Sequence, residues 1–325
     1  MTADHSGADR PMAWLPLPLE ELGELPGGLE YAYWNGEDDY PADPGRCVFY
    51  AVPYAAHGRL HGPEVCARPL PLMRNLRVVQ ALTAGVDHLL PALPLLPPGA
   101  VLCNARGLHD ASTAELALAL TLASLRDIPG FSRAQGAGEW RPGFQPALAD
   151  KSVLIVGYGS IGSAIEDRLA PFECARVARV ARSPRTTLRG PVHPVTELPR
   201  LLPEADVVIL VAPLTEETRG LMGAANLARM KDGALLVNVA RGAVVDTGAL
   251  LAELRTGRLR AALDVTDPEP LPPDHPLWTA PGVLITPHVG GASSAFTPRA
   301  QALIRGQLAR FMLDEPPLNV VASAS

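Results

Sequence analysis

Three residues far apart in this chain, Arg241, Glu269 and His288, carry side chains that could together manage a proton and a carboxylate. A histidine beside a carboxylate can hand a proton to an oxygen that gains negative charge during a reaction. An arginine can hold a carboxylate through two parallel hydrogen bonds and polarise the carbonyl next to it. Singly, each has an ordinary reading: His288 as a surface histidine at a strand end, Arg241 as a charge after a strand, Glu269 as an exposed acid before a proline. As a set at three strand ends they fit hydride addition to a 2-oxo acid, if one fold brings them to one crevice.

The element that would organise such a crevice lies at residues 152–162. The apolar run Ser152, Val153, Leu154, Ile155, Val156 leads into Gly157, Tyr158, Gly159, Ser160, Ile161 and Gly162, after which Ile161, Ile165 and Leu169 share one helix face. This reads as buried strand, tight turn and helix. Gly157 permits the turn, Gly159 lets backbone approach a pyrophosphate, and Gly162 lets the helix pack close to the strand, while the helix N-terminus offers N–H groups to the anion. The run 175–181 supplies the next strand and ends at Arg182, Ser183, Pro184 and Arg185. An NAD site carries an acid at that strand end for the ribose hydroxyls. Arginine there, with Ser183 and Arg185 beside it, favours a 2′-phosphate and so NADP(H), with NAD(H) left open; the other reading is a solvated basic turn.

Further strands are expected at 207–212, 234–239, 261–265 and 283–286, with helices at 224–230 and 247–255, an alternation that completes a doubly wound sheet. Strand carboxyl ends line the ligand crevice of such sheets, which is how Arg241, Glu269 and His288 would converge. Up to about residue 104, runs at 12–17, 29–33, 47–52, 76–82 and 100–103 predict a smaller parallel α/β sheet. By pattern alone, the small-residue loop 83–87 after its fourth strand is either an ordinary strand-to-helix turn or a ligand loop. The segment from Ser112 reads as a helix with Glu115 at capping-box spacing, apolar nearly all round, and so buried either within the chain or against a partner subunit. Residues 91–98 and 131–150 read as loops.

With 47% hydrophobic and 19% charged residues in a chain of 325, the composition is that of a globular protein with room for two domains, and no run is long enough to span a bilayer. The first ten residues lack an apolar core and read as a frayed tail, not a secretory signal. Cys47, Cys66, Cys103 and Cys174 are scattered without a CxxC pair, which fits reduced packing residues in a cytoplasmic protein and neither a disulfide framework nor a metal site. A net charge of −6 with dispersed arginines argues against a nucleic-acid surface and leaves a small molecule as the partner.

The chain resembles the D-isomer-specific 2-hydroxyacid dehydrogenases, the family of glyoxylate/hydroxypyruvate reductases and phosphoglycerate dehydrogenases. The resemblance is carried by ALTAGVD (81–87), STAELALAL (112–120), VLIVGYGSIG (153–162), LVAPLTEETRGLM (210–222), LLVNVARGAVVDTGAL (235–250), ALDVTDPEPLPPDHPLW (262–278) and ITPHVGG (285–291). It runs from about residue 76; the first 75 residues match only as a loose order of elements. The resemblance implies an α/β protein of two doubly wound parallel-sheet domains: a Rossmann cofactor domain at 104–298 and a flavodoxin-like substrate domain at 1–103 and 299–325, with a last helix at 299–313. It implies His288 as acid/base, Glu269 as its hydrogen-bond partner and Arg241 as the substrate-orienting cation.

Carried over in the same way, backbone N–H groups around Ala84, Gly85 and Val86 would hold the carboxylate of a small 2-oxo or 2-hydroxy acid. Ser160 and Ile161 in the Gly157, Gly159, Gly162 loop would contact pyrophosphate, Pro213 and Thr218 would border the adenosine, and Ala240 and Asp264 would hold the nicotinamide carboxamide. Members of the family are commonly homodimers joined through the cofactor domain, which suits the apolar helix. Glu269 stands where the formate dehydrogenase branch carries glutamine, which disfavours that branch, and Arg182 replaces the usual acid, as in NADP-using reductases. With no extension beyond the last helix, serine-feedback control is not expected. The competing reading is a dinucleotide-sensing, corepressor-like binding protein on the same fold.

Overall fold

The computed structural model describes residues 10–56 and 59–324, so all of the expected tail except Arg10 lies outside the described residues. The chain forms two compact units, Met1–His109 with Ser294–Ser325, and Asp110–Ser293. Both are α/β.

The second unit is built on an eight-stranded sheet in the order Arg185–Thr187, Gly190–Pro194, Arg176–Ala181, Ser152–Val156, Val207–Leu210, Leu235–Asn238, Arg260–Leu263, Val283–Ile285. All neighbours are parallel except the hairpin of the first two strands, which the sequence reading did not anticipate. Alternate side chains enter two cores: Leu154, Val156, Val208, Leu210 and Leu236 on one face, Val153, Ile155, Val207, Ile209 and Val237 on the other. Burial on both faces is why these strands are uninterrupted apolar runs.

The helix Asp110–Leu125 closes the second of those cores through Ala114, Ala117, Leu118, Leu120 and Leu125. Its nearly all-round apolarity is thus used largely inside its own unit. It starts at Asp110, which puts Ser112 inside the first turn instead of ahead of it. Part of the stretch expected as a loop is a second helix, Ile128–Gly136. Pro129 sits in its first turn and Gly136 at its end, positions where these residues punctuate a helix without breaking it.

The first unit holds a six-stranded sheet in the order Val320–Ser323, Val101–Cys103, Val78–Gln80, Cys47–Ala51, Met12–Leu15, Glu30–Tyr33. Five strands are parallel, and the antiparallel edge strand Val320–Ser323 was not expected. One face packs Met12, Trp14, Tyr50, Val79 and Leu102; the other packs Ala13, Leu15, Phe49 and Val78 under the helix Phe296–Met312, through Ala300, Ile304, Leu308 and Phe311. The 3-10 helix Leu90–Leu95 runs into residues 91–98, which read as a loop.

The units divide at 109/110 and 293/294 instead of 103/104 and 298/299. Residues just past 103 are bonded back into the first unit: the Asn104 amide donates to Asn319 O (3.0 Å) and the Ala105 amide to Thr83 O (2.9 Å). Phe296 stacks on Tyr54 with ring centroids 4.4 Å apart, which draws the start of the last helix into the same unit. Burial pushes the thiols of Cys47 and Cys66 up to about 12 and that of Cys103 up to about 11, as suits packing residues. Among the described residues no helix is long and apolar enough to cross a membrane.

Candidate active site

His288 lies just beyond the strand Val283–Ile285 in left-handed backbone, φ 53°. Such a conformation costs a β-carbon-bearing residue roughly 1–3 kcal/mol and persists only where its surroundings over-determine it. Asp264, 2% exposed, supplies that determination. Its Oδ1 accepts from Thr286 Oγ1 (2.6 Å) and the Val289 amide (2.9 Å), its Oδ2 from the Gly290 amide (2.9 Å), and its carbonyl from the His288 amide (2.7 Å). One buried residue therefore fixes the whole turn that carries the histidine.

The His288 ring pairs with Glu269, Nδ1 to Oε1, at 2.6 Å. Because a carboxylate accepts, Nδ1 carries the hydrogen, and Nε2 is left for chemistry. Glu269 is carried on the turn after the strand Arg260–Leu263. That turn touches the one bearing Arg241: a β-carbon on Gly242 would lie 1.9 Å from Thr266 O, so only glycine allows the approach. The Arg241 turn is held by Asn238, 1% exposed, whose Oδ1 accepts from the Ala240 amide and whose Nδ2 donates to Arg241 O, each at 3.0 Å. Arg241 itself donates from Nη1 to Ala240 O (2.8 Å). The sequence-predicted Arg241, Glu269, Ala240 and Asp264 thus share one set of abutting strand-end turns with His288.

The glycine loop has the form a dinucleotide requires. Gly157 has φ 107°, and a β-carbon there would lie 2.3 Å from the Ala212 amide nitrogen; one on Gly162 would lie 2.4 Å from Gly157 O. Nothing lies within 4 Å of the β-carbon position of Gly159, which leaves room for a phosphate at the N-terminus of the helix Ser160–Leu169. The first N–H groups of that helix, from Ser160 and Ile161 onward, have no acceptor within it. These residues fit a pyrophosphate. In the 213–218 loop, Thr218 Oγ1 donates to Pro213 O (2.7 Å) and accepts from the Thr215 amide (2.8 Å), which closes the turn.

A polar network that sequence reasoning missed underlies this loop. Tyr158 donates its hydroxyl to Glu166, and Arg179 clamps the same carboxylate from Nη2 and, at 2.8 Å, from Nε. Burial alone would raise the Glu166 carboxyl, but hydrogen bonds from Arg179 and Tyr158 and the charges of Arg179 and Arg189 outweigh it and hold it below its ordinary range. Arg185 donates to Tyr158 O, tying the basic turn to the glycine loop. Arg182 and Ser183 are exposed, and Arg182 has no hydrogen bond or ion pair among the described residues.

In the first unit, the 81–86 loop is held by its carbonyls. Ala81 O accepts from Gln80 Nε2 (2.8 Å), Leu82 O from His109 Nε2 (2.8 Å), Thr83 O from the Ala105 amide (2.9 Å) and Ala84 O from Asn104 Nδ2 (2.9 Å). The amides of Ala84, Gly85 and Val86 donate to no acceptor among the described residues. Gln80, Asn104 and His109 were not singled out from the sequence. Their only signal was polarity inside or beside apolar strands.

A family model described as D-isomer specific 2-hydroxyacid dehydrogenase, NAD binding domain, matches residues 118–290. The glyoxylate reductase/hydroxypyruvate reductase of Mus musculus is 34% identical over 294 residues, 86% of this chain and 87% of that protein. A D-isomer specific 2-hydroxyacid dehydrogenase from Xanthobacter autotrophicus Py2, solved with NADPH and MES, superposes with a TM-score of 0.79 at 31% identity, covering 97% of this chain and 98% of that one. An NADPH-dependent glyoxylate/hydroxypyruvate reductase from Sinorhizobium meliloti, solved with NADP and malonate, gives 0.76 at 27% identity, with 97% of each chain covered.

Proposed function

Because this chain belongs to the D-isomer-specific 2-hydroxyacid dehydrogenase family, whose NAD-binding-domain model spans residues 118–290, we propose that it reduces a small 2-oxo acid to the D-2-hydroxy acid, with NADP(H) preferred over NAD(H). The observation that carries this reading is the His288–Glu269 pair at 2.6 Å. It leaves Nε2 as a proton donor on a turn fixed by Asp264.

A bound nicotinamide dinucleotide supplies the hydride. The Gly157, Gly159 and Gly162 loop, with the amides of Ser160 and Ile161, holds its phosphates; Pro213 and Thr218 border its adenosine; Ala240 and Asp264 face its carboxamide. The amides of Ala84, Gly85 and Val86 take the substrate carboxylate, and Arg241 orients it and polarises the 2-oxo group. His288 gives its Nε2 proton to that oxygen as charge develops, and Glu269 stabilises the imidazolium that precedes transfer. In the reverse direction the same nitrogen accepts the proton.

Cofactor choice rests on Arg182, whose exposed guanidinium has no partner among the described residues, with Ser183 beside it; Arg185 is already committed to Tyr158 O. The unit Asp110–Ser293 takes the cofactor and the unit Met1–His109 with Ser294–Ser325 the substrate, in a cytoplasmic homodimer. Support for self-association comes from Ile128, Trp140, Phe144 and Trp278, which are 53%, 95%, 106% and 50% exposed on the second unit. Initial rates with glyoxylate and hydroxypyruvate under NADPH and NADH test the reading. Arg182→Asp is expected to raise the NADPH KM at least about tenfold and leave the NADH KM within about threefold. Equal use of NADH by the wild type would remove the cofactor preference.

A further inference from the structure

We propose that Asn104, His109 and Gln80 are positioning residues that set the 81–86 loop so that its amides can receive a substrate carboxylate; this rests on the reading of that loop given above. A trans peptide unit is planar, and its carbonyl and the following N–H point to opposite sides. Pinning the carbonyls of Leu82, Thr83 and Ala84 therefore aims the amides of Thr83, Ala84 and Gly85 the other way. The pins come from His109 Nε2 at 2.8 Å, the Ala105 amide at 2.9 Å and Asn104 Nδ2 at 2.9 Å, all from the segment that follows the neighbouring strand Val101–Cys103. Farther along, Val86 O accepts from the Leu89 and Leu90 amides at 2.8 and 3.1 Å.

Each pin is itself held. Since a carbonyl can only accept, His109 Nε2 carries the hydrogen, and the ring is 5% exposed beside Phe296, with planes 16° apart. Asn104 Oδ1 accepts from the Arg106 amide at 3.2 Å, which fixes which end of its amide faces Ala84. Gln80 is fully buried, donates to Ala81 O and Asn104 O, and accepts from Gln307 Nε2 at 2.5 Å. Gln307 in turn is bracketed by Leu318, whose amide donates to Oε1 and whose carbonyl accepts from Nε2. Two buried primary amides are costly in an apolar core unless every group is paired. Here they connect the returning C-terminal segment to the start of the loop.

The test is steady-state reduction of glyoxylate by NADPH in the full chain, comparing wild type with Asn104→Ala, His109→Leu and His109→Gln. The glutamine amide can occupy the place of Nε2–H. Asn104→Ala and His109→Leu are expected to raise the glyoxylate KM at least about tenfold, with kcat within about threefold and the NADPH Kd unchanged. His109→Gln is expected to recover the wild-type KM to within about threefold. Wild-type turnover with an unchanged glyoxylate KM in both loss variants, an equal rise in NADPH Kd, or a glutamine variant as impaired as the leucine one overturns this inference alone. A wild type that reduces no 2-oxo acid overturns the functional reading and this inference with it. Should His109→Leu not fold, the wild-type amide resonances of Ala84 and Gly85 decide. They are expected to shift on addition of oxalate, and unmoved resonances contradict the proposal.

Discussion

The two units fix their candidate ligand loops by opposite means. In the second unit the glycine loop is set by what is missing: backbone lies so close that a β-carbon on Gly157 would meet Ala212 N at 2.3 Å and one on Gly162 would meet Gly157 O at 2.4 Å. The glycines that permit this lie within six consecutive residues. In the first unit the 81–86 loop is set by what has been added, hydrogen-bond donors at Gln80, Asn104, Ala105 and His109 that grip successive carbonyls. A steric device of this kind is local and visible as spacing. A device made of donors is spread over the chain and shows no spacing at all.

That contrast yields graded expectations. The largest effect belongs to Gly157→Ala, which combines a left-handed backbone with a backbone clash and is expected to cost about 3 kcal/mol of stability and to abolish NADPH binding. Urea titration and cofactor fluorescence would read both; a variant that melts like wild type would place the loop's constraint elsewhere. Gln307→Leu comes next. Leaving the Gln80 amide short of a partner is expected to cost about 1–3 kcal/mol, without loss of NADPH affinity. If it weakened NADPH as strongly as glyoxylate, the separation of the two devices would fail.

The smallest effect concerns acid. Glu166 is held below its ordinary range, so its contribution is full above about pH 4.5 and is lost as the pH falls below that and the folded carboxyl protonates. The Tm gap between wild type and Glu166→Gln should therefore narrow between about pH 6 and about pH 3, and a gap that widened would contradict the assignment.

The same distinction explains what could be read from the sequence. The alternation of apolar runs gave both sheets, because strands buried on two faces leave uninterrupted signatures such as 152–156 and 207–210. The hairpin 185–194 and the edge strand Val320–Ser323 escaped notice, since the hairpin strands RTT and GPVHP carry no apolar run and the edge strand VVAS is only four residues long. The helix Ile128–Gly136 runs into the stretch 131–150, whose Gly136, Gly138, Pro142, Gly143 and Pro146 leave no helical period to read. At the site, Arg241, Glu269 and His288 stood out by residue type at strand ends. Asp264 was assigned only toward the cofactor, although its three side-chain bonds to residues 286–290 make it the residue that holds His288 in place. Gly242 went unweighed because the backbone it must approach, at Thr266, lies in a different turn.

His288→Ala, assayed in the full chain with NADPH and the best 2-oxo acid of a substrate panel, probes the central claim most directly. The account predicts a kcat at least about a thousandfold lower with the NADPH Kd within about threefold of wild type. Turnover that survives the substitution would contradict His288 as the proton donor, and a wild type with tight NADPH binding but no turnover on any 2-oxo acid would identify a dinucleotide sensor instead.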